Sequence, residues 1–373
     1  MAAHAMKTSI NTSSTELIQA PYRSELEYAC HAVRLASKLC QAVQKQLSDA
    51  EKEEKQDESP VTVADYGAQA VVAWALSQSG QSVSMVAEED SASLIRPEGR
   101  PMLERITALV NGVVQQEMPG TSLSPDDVVK LIDLGGSSGG QAGRHWVLDP
   151  IDGTRGFVGM RQYSVCLGML QDGEVQLGVL GCPNLPQGPI SDNDGGSGAM
   201  SRSQDSDIGC LYLAHKGFGA YYAPLSEPAA PLTRVFVQDV TEISQAQVME
   251  SYETHHSDHC FAAAVAKETG VLKAPLRMDS QVKYGILSRG EAPRVFMRFP
   301  PATYREKIWD HAAGFVIVEE AGGKVTDTVG DRLDFSCGRY LDTMKGGIVA
   351  GPPNVHAALI NSIATVKSKT STS

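Results

Sequence analysis

The stretch Trp146-Val147-Leu148-Asp149-Pro150-Ile151-Asp152-Gly153-Thr154 constrains this chain more than any other, because it closes an apolar run with two carboxylates and a tight turn. A strand over Trp146, Val147 and Leu148 delivers Asp149 to its C-terminal edge, and Pro150 imposes an extended turn that brings Asp152 round to the same side. Gly153 and Thr154 then read as a helix start, where unpaired backbone N–H groups and a hydroxyl can meet an anion's oxygens. Two acids facing one point beside such a turn suit a Mg²⁺ ion held against a phosphate.

The rest of the chain supplies the body such a site needs. With 373 residues, 42% of them hydrophobic and 20% charged, it has the profile of a globular protein with a sizeable core. The net charge of −12 and the absence of clustered Lys and Arg exclude a surface for nucleic-acid polymers, so an anionic substrate must be small and met by metal ions. Seven scattered cysteines without a Cys-x-x-Cys pair suggest neither a disulfide framework nor structural zinc, and Cys166 reads as a buried small hydrophobe; a reducing compartment fits best. No apolar run is long enough to cross a bilayer. Residues 1–20 are rich in Ala, Ser and Thr, with Glu16 their one acid and Lys7 their one base. That segment is expected to be disordered in a cytoplasmic protein, with import into a plastid or mitochondrion as the alternative.

Tyr22 to Gln46 carries Leu26, Ala29, Val33, Ala36, Leu39 and Val43 at helical spacing, and the charged run from Asp49 to Glu58 ends it. Residues 59–65 read as an extended segment leading into a helix from Tyr66 to Ser77, with Asp65 at its start. Ser82 to Ala87 reads as a strand running into Glu88-Glu89. Two Gly/Ser-rich stretches, 135–143 and 186–207, read as loops; the first lacks the Lys-Ser/Thr ending of a P-loop, and the second marks a domain junction. The expected division is an α+β unit over 21–207 and an α/β unit over 208–373. In the second half, Arg234 to Val240, Arg294 to Phe299, Gly323 to Thr326 and Gly347 to Gly351 read as strands, and His259 to Thr269, Ile308 to Ala321 and Val355 to Val366 as helices. Mixed elements with no repeat imply layers of helices and sheets.

Four segments bring a carboxylate to the end of an element: Asp65, Glu88 with Glu89, Asp149 with Asp152, and Asp310. Alone, Asp65 is a helix cap and Glu88-Glu89 a solvated corner; their weight lies in acting jointly. Asp310 stands between apolar residues on both sides, and a carboxylate buried there needs a cation or hydrogen-bond donor beside it. Oxygen ligands without Cys or His at metal spacing favour Mg²⁺ over zinc.

The pattern Asp149-Pro-Ile-Asp-Gly-Thr154, with Glu88-Glu89 upstream and Trp309-Asp310 downstream, resembles that of the lithium-sensitive, Mg²⁺-dependent phosphatase superfamily that includes inositol monophosphatase. Within it, Ser59-Pro-Val-Thr-Val-Ala-Asp-Tyr-Gly-Ala-Gln69, Asp152-Gly-Thr-Arg-Gly-Phe157, Asp279-Ser-Gln-Val-Lys-Tyr284 and Glu306-Lys-Ile-Trp-Asp-His-Ala-Ala-Gly314 resemble the 3′(2′),5′-bisphosphate nucleotidases. The resemblance implies a layered αβαβα sandwich of the inositol monophosphatase type. It further implies two or three Mg²⁺ ions held by Glu88, Asp149, the Ile151 carbonyl, Asp152 and Asp310, with Asp65 and Thr154 orienting and deprotonating the attacking water. Gly153, Thr154, His256, Ser257, Ser280, Lys283 and Arg298 would bind substrate, Lys283 and Arg298 at the phosphate that is not hydrolysed. The implied reaction removes the 3′-phosphate of adenosine 3′,5′-bisphosphate and extends to its sulfated analogue, in a monomer that needs neither a nucleic-acid polymer nor a membrane. Lithium inhibition follows from the resemblance alone.

Other readings stand beside this one. An inositol phosphate or inositol polyphosphate 1-phosphatase would keep every metal ligand and change only the substrate wall, and a catalytically idle nucleotide-binding protein would keep the fold. Lys283 also reads as surface charge and Arg298 as an outward strand residue; His255, His256 and His259 read as a solvated helix start. The chain departs from the nucleotidase pattern at Val158-Gly-Met-Arg161, where that family tends to carry an acidic residue before the Gln-Tyr that is here Gln162-Tyr163.

Overall fold

A computed structural model describes residues 15–50, 60–192, 194–195, 207–253 and 257–371. In chain order its elements are α1 (Thr15–Ile18), α2 (Arg23–Ala50), α3 (Pro60–Ser77), β1 (Met85–Ala87), α4 (Arg100–Glu117), α5 (Pro125–Asp133), β2 (Arg144–Asp152), α6 (Thr154–Val158), β3 (Ser164–Gln171) and β4 (Glu174–Pro186). They continue with β5 (Ile208–His215), β6 (Gly219–Pro224), β7 (Thr233–Val235), β8 (Gln247–Glu250), α7 (His259–Thr269), β9 (Leu276–Arg277), α8 (Val282–Arg289) and β10 (Arg294–Arg298). The last are α9 (Ala312–Glu320), β11 (Lys324–Asp327), β12 (Ile348–Gly351) and α10 (Pro353–Ser371).

Strands β1 to β7 form one sheet in sequential order, antiparallel except for the parallel pair β1–β2. A second sheet runs β11-β12-β10-β8-β9. Side chains alternate across each strand and so sort themselves into three cores. Leu148, Val165, Leu167, Leu211 and Leu213 pack beneath α2, α3 and α4, where the helical stripe from Leu26 to Val43 is buried as its spacing predicts. On the opposite face Val147, Cys166, Cys210 and Tyr212 meet α8 and α9, which also cover Met249, Phe296, Ile348 and Ala350 of the second sheet. The intervening Val248, Val295, Met297 and Val349 point the other way, onto α7 and α10. The order helices, sheet, helices, sheet, helices is the expected αβαβα sandwich.

The close middle layer depends on missing side chains. A Cβ on Gly314 would stand 2.1 Å from Tyr284 Cδ2, so α9 approaches α8 only because residue 314 is glycine.

Several expectations change. Helix α3 starts at Pro60, which suits a first turn because proline needs no N–H partner there; residues 60–65 are therefore helical, and Asp65 lies inside the helix rather than capping it. Strand β2 does not stop at Asp149 but continues to Asp152, with a register shift against β3 between those acids where Pro150 cannot donate to the ladder. The helix expected from Ile308 to Ala321 is broken: a 3₁₀ turn over Ile308–Asp310 is separated from α9 by His311 at φ −140°. The boundary drawn at residue 207 falls inside the first sheet, since β4 and β5 pair on either side of it. Of the segment 1–20 expected to be disordered, residues 1–14 lie outside the described residues, while Thr15–Ile18 form α1 with Leu17 buried. Most of the charged run at 49–58, much of the 186–207 loop, and His255 and His256 also lie outside the described residues. All seven cysteines are free thiols, with Cys166 buried. No described helix is long and apolar enough to cross a membrane.

Candidate active site

Strand β2 places Asp149 on the face that Val147 shares with α8 and α9, and the bulge after Asp149 carries Asp152 to the end of the strand. Gly153 turns the chain in the left-handed region at φ +87°, which suits glycine, and α6 follows. Glu88 arrives directly from the end of β1, the parallel neighbour of β2. The 3₁₀ turn ahead of α9 brings Asp310 from the far side. A cavity of about 380 Å³ opens between these segments, lined by Glu88, Asp149, Ile151, Asp152, Gly153, Thr154 and Asp310. Ser280, Lys283 and Arg298 line it as well, Ser280 against Gly153 and Lys283 near Asp152. Four acids from three separate segments, Glu88, the Asp149–Asp152 pair and Asp310, thus face one space.

Their electrostatics are those of a site that wants a cation. Burial pushes the Asp149 carboxyl well above the usual range, and Glu88, Asp152, Asp310 and Asp65 push it further. Asp310 rises to about 7 through burial, with Glu306 and Asp152 adding to it against His311. Asp152 rises to about 6 through burial, although Lys283 and the Gln281 N–H partly offset this. Carboxylates that destabilise one another at neutral pH fit a hard divalent ion, which converts their repulsion into binding.

Among the described residues, the ligand-type side chains whose donor atoms all lie within 4.8 Å of one another are Glu306, Asp310 and His311. This trio is not itself a metal cage: Glu306 accepts from Arg298 Nε at 2.6 Å through Oε1 and meets His311 Nε2 at 3.0 Å through Oε2. Only Asp310 of the three offers its carboxylate to the acids opposite.

Asp65 stands behind the cavity wall rather than in it. It is buried, and burial together with Glu89 and Glu88 raises it well above the ordinary carboxyl range. The Thr154 hydroxyl donates to the Ile151 carbonyl at 3.3 Å, so the expected contact between Thr154 and Asp65 is not made in this arrangement.

Lys283 and Arg298 share the cavity with the acids. Lys283 is buried, its Nζ donating to the carbonyls of Met278 and Ser280 at 2.8 and 2.7 Å, and burial lowers its amine to about 8. The reading of Lys283 as surface charge is therefore excluded. Ser280 holds φ +67°, a left-handed conformation costly for a residue with a Cβ, and sits at the cavity rim. Ser257 does not reach the cavity: it is buried, and its hydroxyl accepts from the Phe299 N–H at 2.9 Å, tying the start of α7 to the end of β10. His256 lies outside the described residues. His259 is not solvated; its side chain is 11% exposed, with Nδ1 3.8 Å from Glu250.

Sequence reading missed several participants. Lys307 Nζ lies 3.4 Å from Glu88 Oε1, and the Tyr304 hydroxyl donates to Asp310 Oδ2 at 3.4 Å. The Gln281 side chain donates to the Trp309 carbonyl at 2.7 Å and accepts from the Gly314 N–H at 2.9 Å, fixing the turn that carries Asp310. Gln281 and Lys307 sit within the nucleotidase-like motifs and could have been flagged there; Tyr304 carried no signal. Arg161, at the departure from the nucleotidase pattern, pairs with Asp279 at 3.0 Å and Glu253 at 3.2 Å and so clamps the segment leading to Ser280.

The sequence profile of the Inositol monophosphatase family matches residues 23–368. The 3′(2′),5′-bisphosphate nucleotidase 1 of Arabidopsis thaliana is 47% identical over 305 residues, covering 81% of this chain and 84% of that protein. A 3′(2′),5′-bisphosphate nucleotidase of Oryza sativa is 44% identical over 347 residues, covering 92% and 94%. An inositol monophosphatase structure from Anabaena (Nostoc) sp. superposes with a TM-score of 0.55 at 18% identity, covering 92% of this chain and 96% of that one; at that identity the likeness speaks for the fold alone.

Proposed function

The chain belongs to the inositol monophosphatase family, and we propose that within it the protein is a Mg²⁺-dependent phosphatase that removes the 3′-phosphate of adenosine 3′,5′-bisphosphate to give AMP and phosphate. The observation that carries this reading is one cavity lined both by the four acids Glu88, Asp149, Asp152 and Asp310 and by Lys283 and Arg298. A substrate with a reacting phosphate and a second, non-reacting one suits both sets of groups at once. The relatives named as bisphosphate nucleotidases favour the nucleotide over an inositol phosphate. The sulfated analogue keeps the 3′-phosphate and an anionic 5′ end, so the same groups suit it.

Glu88, Asp149, the Ile151 carbonyl, Asp152 and Asp310 would hold the metal. The chemistry supplied by bound Mg²⁺ is neutralisation of phosphate charge and acidification of a coordinated water. The chain's own residues do the rest. Asp65, whose burial makes it more basic than an exposed aspartate, receives the proton of the attacking water through Thr154, which requires the Thr154 hydroxyl to turn from the Ile151 carbonyl. Lys283 and Arg298 hold the non-reacting phosphate and so fix the line of attack on the other.

The test is phosphate release by the purified chain from adenosine 3′,5′-bisphosphate with Mg²⁺, beside inositol monophosphate and inositol polyphosphates. Turnover of the nucleotide well above the inositol phosphates is expected. No release from the nucleotide, or faster release from an inositol phosphate, overturns the proposal.

A further inference from the structure

Arg298 heads a buried polar chain whose other members the phosphatase reading does not use. Arg298 Nε donates to Glu306 Oε1 at 2.6 Å, Glu306 Oε2 meets His311 Nε2 at 3.0 Å, and His311 Nδ1 meets the Tyr284 hydroxyl at 3.0 Å. Arg298, His311 and Tyr284 all line the cavity, whereas Glu306 does not, and its side chain is fully buried. The donors and acceptors fix one another. An ionised Glu306 only accepts, so His311 donates from Nε2, and a neutral imidazole then accepts the Tyr284 hydroxyl proton at Nδ1.

A long arginine side chain at a cavity edge has many rotamers, and holding it costs entropy that a substrate must otherwise overcome. Glu306 removes that freedom by engaging Nε, and among the described residues this guanidinium makes no other hydrogen bond. The fork of Nη atoms is left for a phosphate, the geometry in which an arginine binds one through two parallel bonds. Glu306 is in turn held by His311, whose own position is set by Tyr284, so the whole chain is anchored in the packed middle layer.

We infer that Glu306 is a positioning residue that pre-orients Arg298 for the non-reacting phosphate and thereby sets the preference for a bisphosphate over a monophosphate. This inference rests on the bisphosphate reading above. Glu306→Gln preserves volume but replaces one acceptor by a donor, so either Arg298 or His311 faces an amide N–H and the chain must rearrange.

The experiment is kcat/KM of the full chain with Mg²⁺ on adenosine 3′,5′-bisphosphate and on adenosine 3′-monophosphate. Wild type should prefer the bisphosphate, and Glu306→Gln should reduce that ratio by about tenfold, chiefly through KM for the bisphosphate, the scale of one charge-assisted hydrogen bond. Arg298→Ala should reduce it as well, and the double variant no further than Arg298→Ala alone. A ratio that Glu306→Gln leaves at the wild-type value, including an equal loss on both substrates, overturns the inference, as does an added loss in the double variant. Should Glu306→Gln fail to fold, Glu306→Asp carries the test: the charge stays, the reach to Nε shortens, and an unchanged ratio overturns the inference. A wild type indifferent to the second phosphate defeats the bisphosphate reading itself; a wild type that prefers it beside a Glu306→Gln that still does defeats only this inference.

Discussion

The backbone N–H of Gln281 donates to Asp152 Oδ2 at 2.5 Å, joining the end of β2 to the start of α8 across 129 residues of sequence. The Gln281 side chain meanwhile holds the Trp309 carbonyl and the Gly314 N–H, so one residue fixes three segments that carry the site.

Gln281→Ala should therefore destabilise the fold by about 2–4 kcal/mol, because two buried backbone groups lose their partners at roughly 1–2 kcal/mol each. Activity should fall with it, since Asp310 loses its fixed mount. Urea unfolding measures the first effect, and a loss below about 0.5 kcal/mol would refute the assignment.

Asp149→Asn should lower kcat/KM on the order of 10²-fold or more while raising the thermal midpoint of chelator-treated protein. The sign reverses between the two measurements because the substitution removes a metal ligand and also relieves repulsion among buried acids. A metal-free variant less stable than metal-free wild type contradicts this account.

The pH dependence of stability should also differ with and without Mg²⁺. The folded-state pKa values of Asp152, about 6, and Asp310, about 7, lie above their unfolded values, so the metal-free fold takes up protons that the unfolded chain does not. The contribution of these two acids is therefore greatest at low pH and falls as pH rises through about 4 to 7, by up to roughly 3 kcal/mol for Asp152. Bound Mg²⁺ offsets that loss, so the gap in melting temperature between Mg²⁺ and chelator should widen from pH 5.5 to pH 7.5. A gap that narrows over this range speaks against acids gathered around a cation.

His356 acts in the reverse direction. Burial, with Lys324 nearby, lowers its imidazole to about 4, and its Nε2 meets Thr326 Oγ1 at 2.8 Å. The Thr326 hydroxyl also reaches the Asp327 carbonyl, and a bond between His356 and the Val349 backbone partly offsets the lowering. A depressed histidine pKa means that the unfolded chain protonates first, so stability is lost as pH falls from about 6.5 through 4, by on the order of 3 kcal/mol. With Mg²⁺ present, His356→Gln, which keeps an uncharged hydrogen-bonding group for Thr326, should lose less stability between pH 7 and 4.5 than wild type. Identical acid profiles would remove His356 from the account.

Much of the architecture was legible because burial leaves a period in the sequence. The stripe from Leu26 to Val43 announced α2, and α7 spans His259–Thr269 as its sequence reads, ended by Gly270 at φ +89°. Asp65 was misplaced because its capping chemistry outweighed Pro60, which opens the helix five residues earlier. Helix α5 went unread although Ser124 and Asp127 form a reciprocal capping box, a signal visible in the letters themselves. The pairing of β4 with β5 hid behind a long Gly/Ser-rich connection, which looks the same whether it joins domains or neighbouring strands. The acids of the site were legible as residue types at element ends. The ties made by Gln281, Tyr304 and Glu306 were not, since they depend on which distant segments meet.

Glu88 follows the end of β1 and Asp149 lies on β2, both of the first sheet, while Arg298 belongs to the second and Asp310 to the turn packed between them. On the proposed roles, no contiguous half of the gene therefore encodes a working enzyme. Exchange of segments with a relative is tolerable only where the donor brings a matching middle layer, so the two sheets are expected to be inherited together.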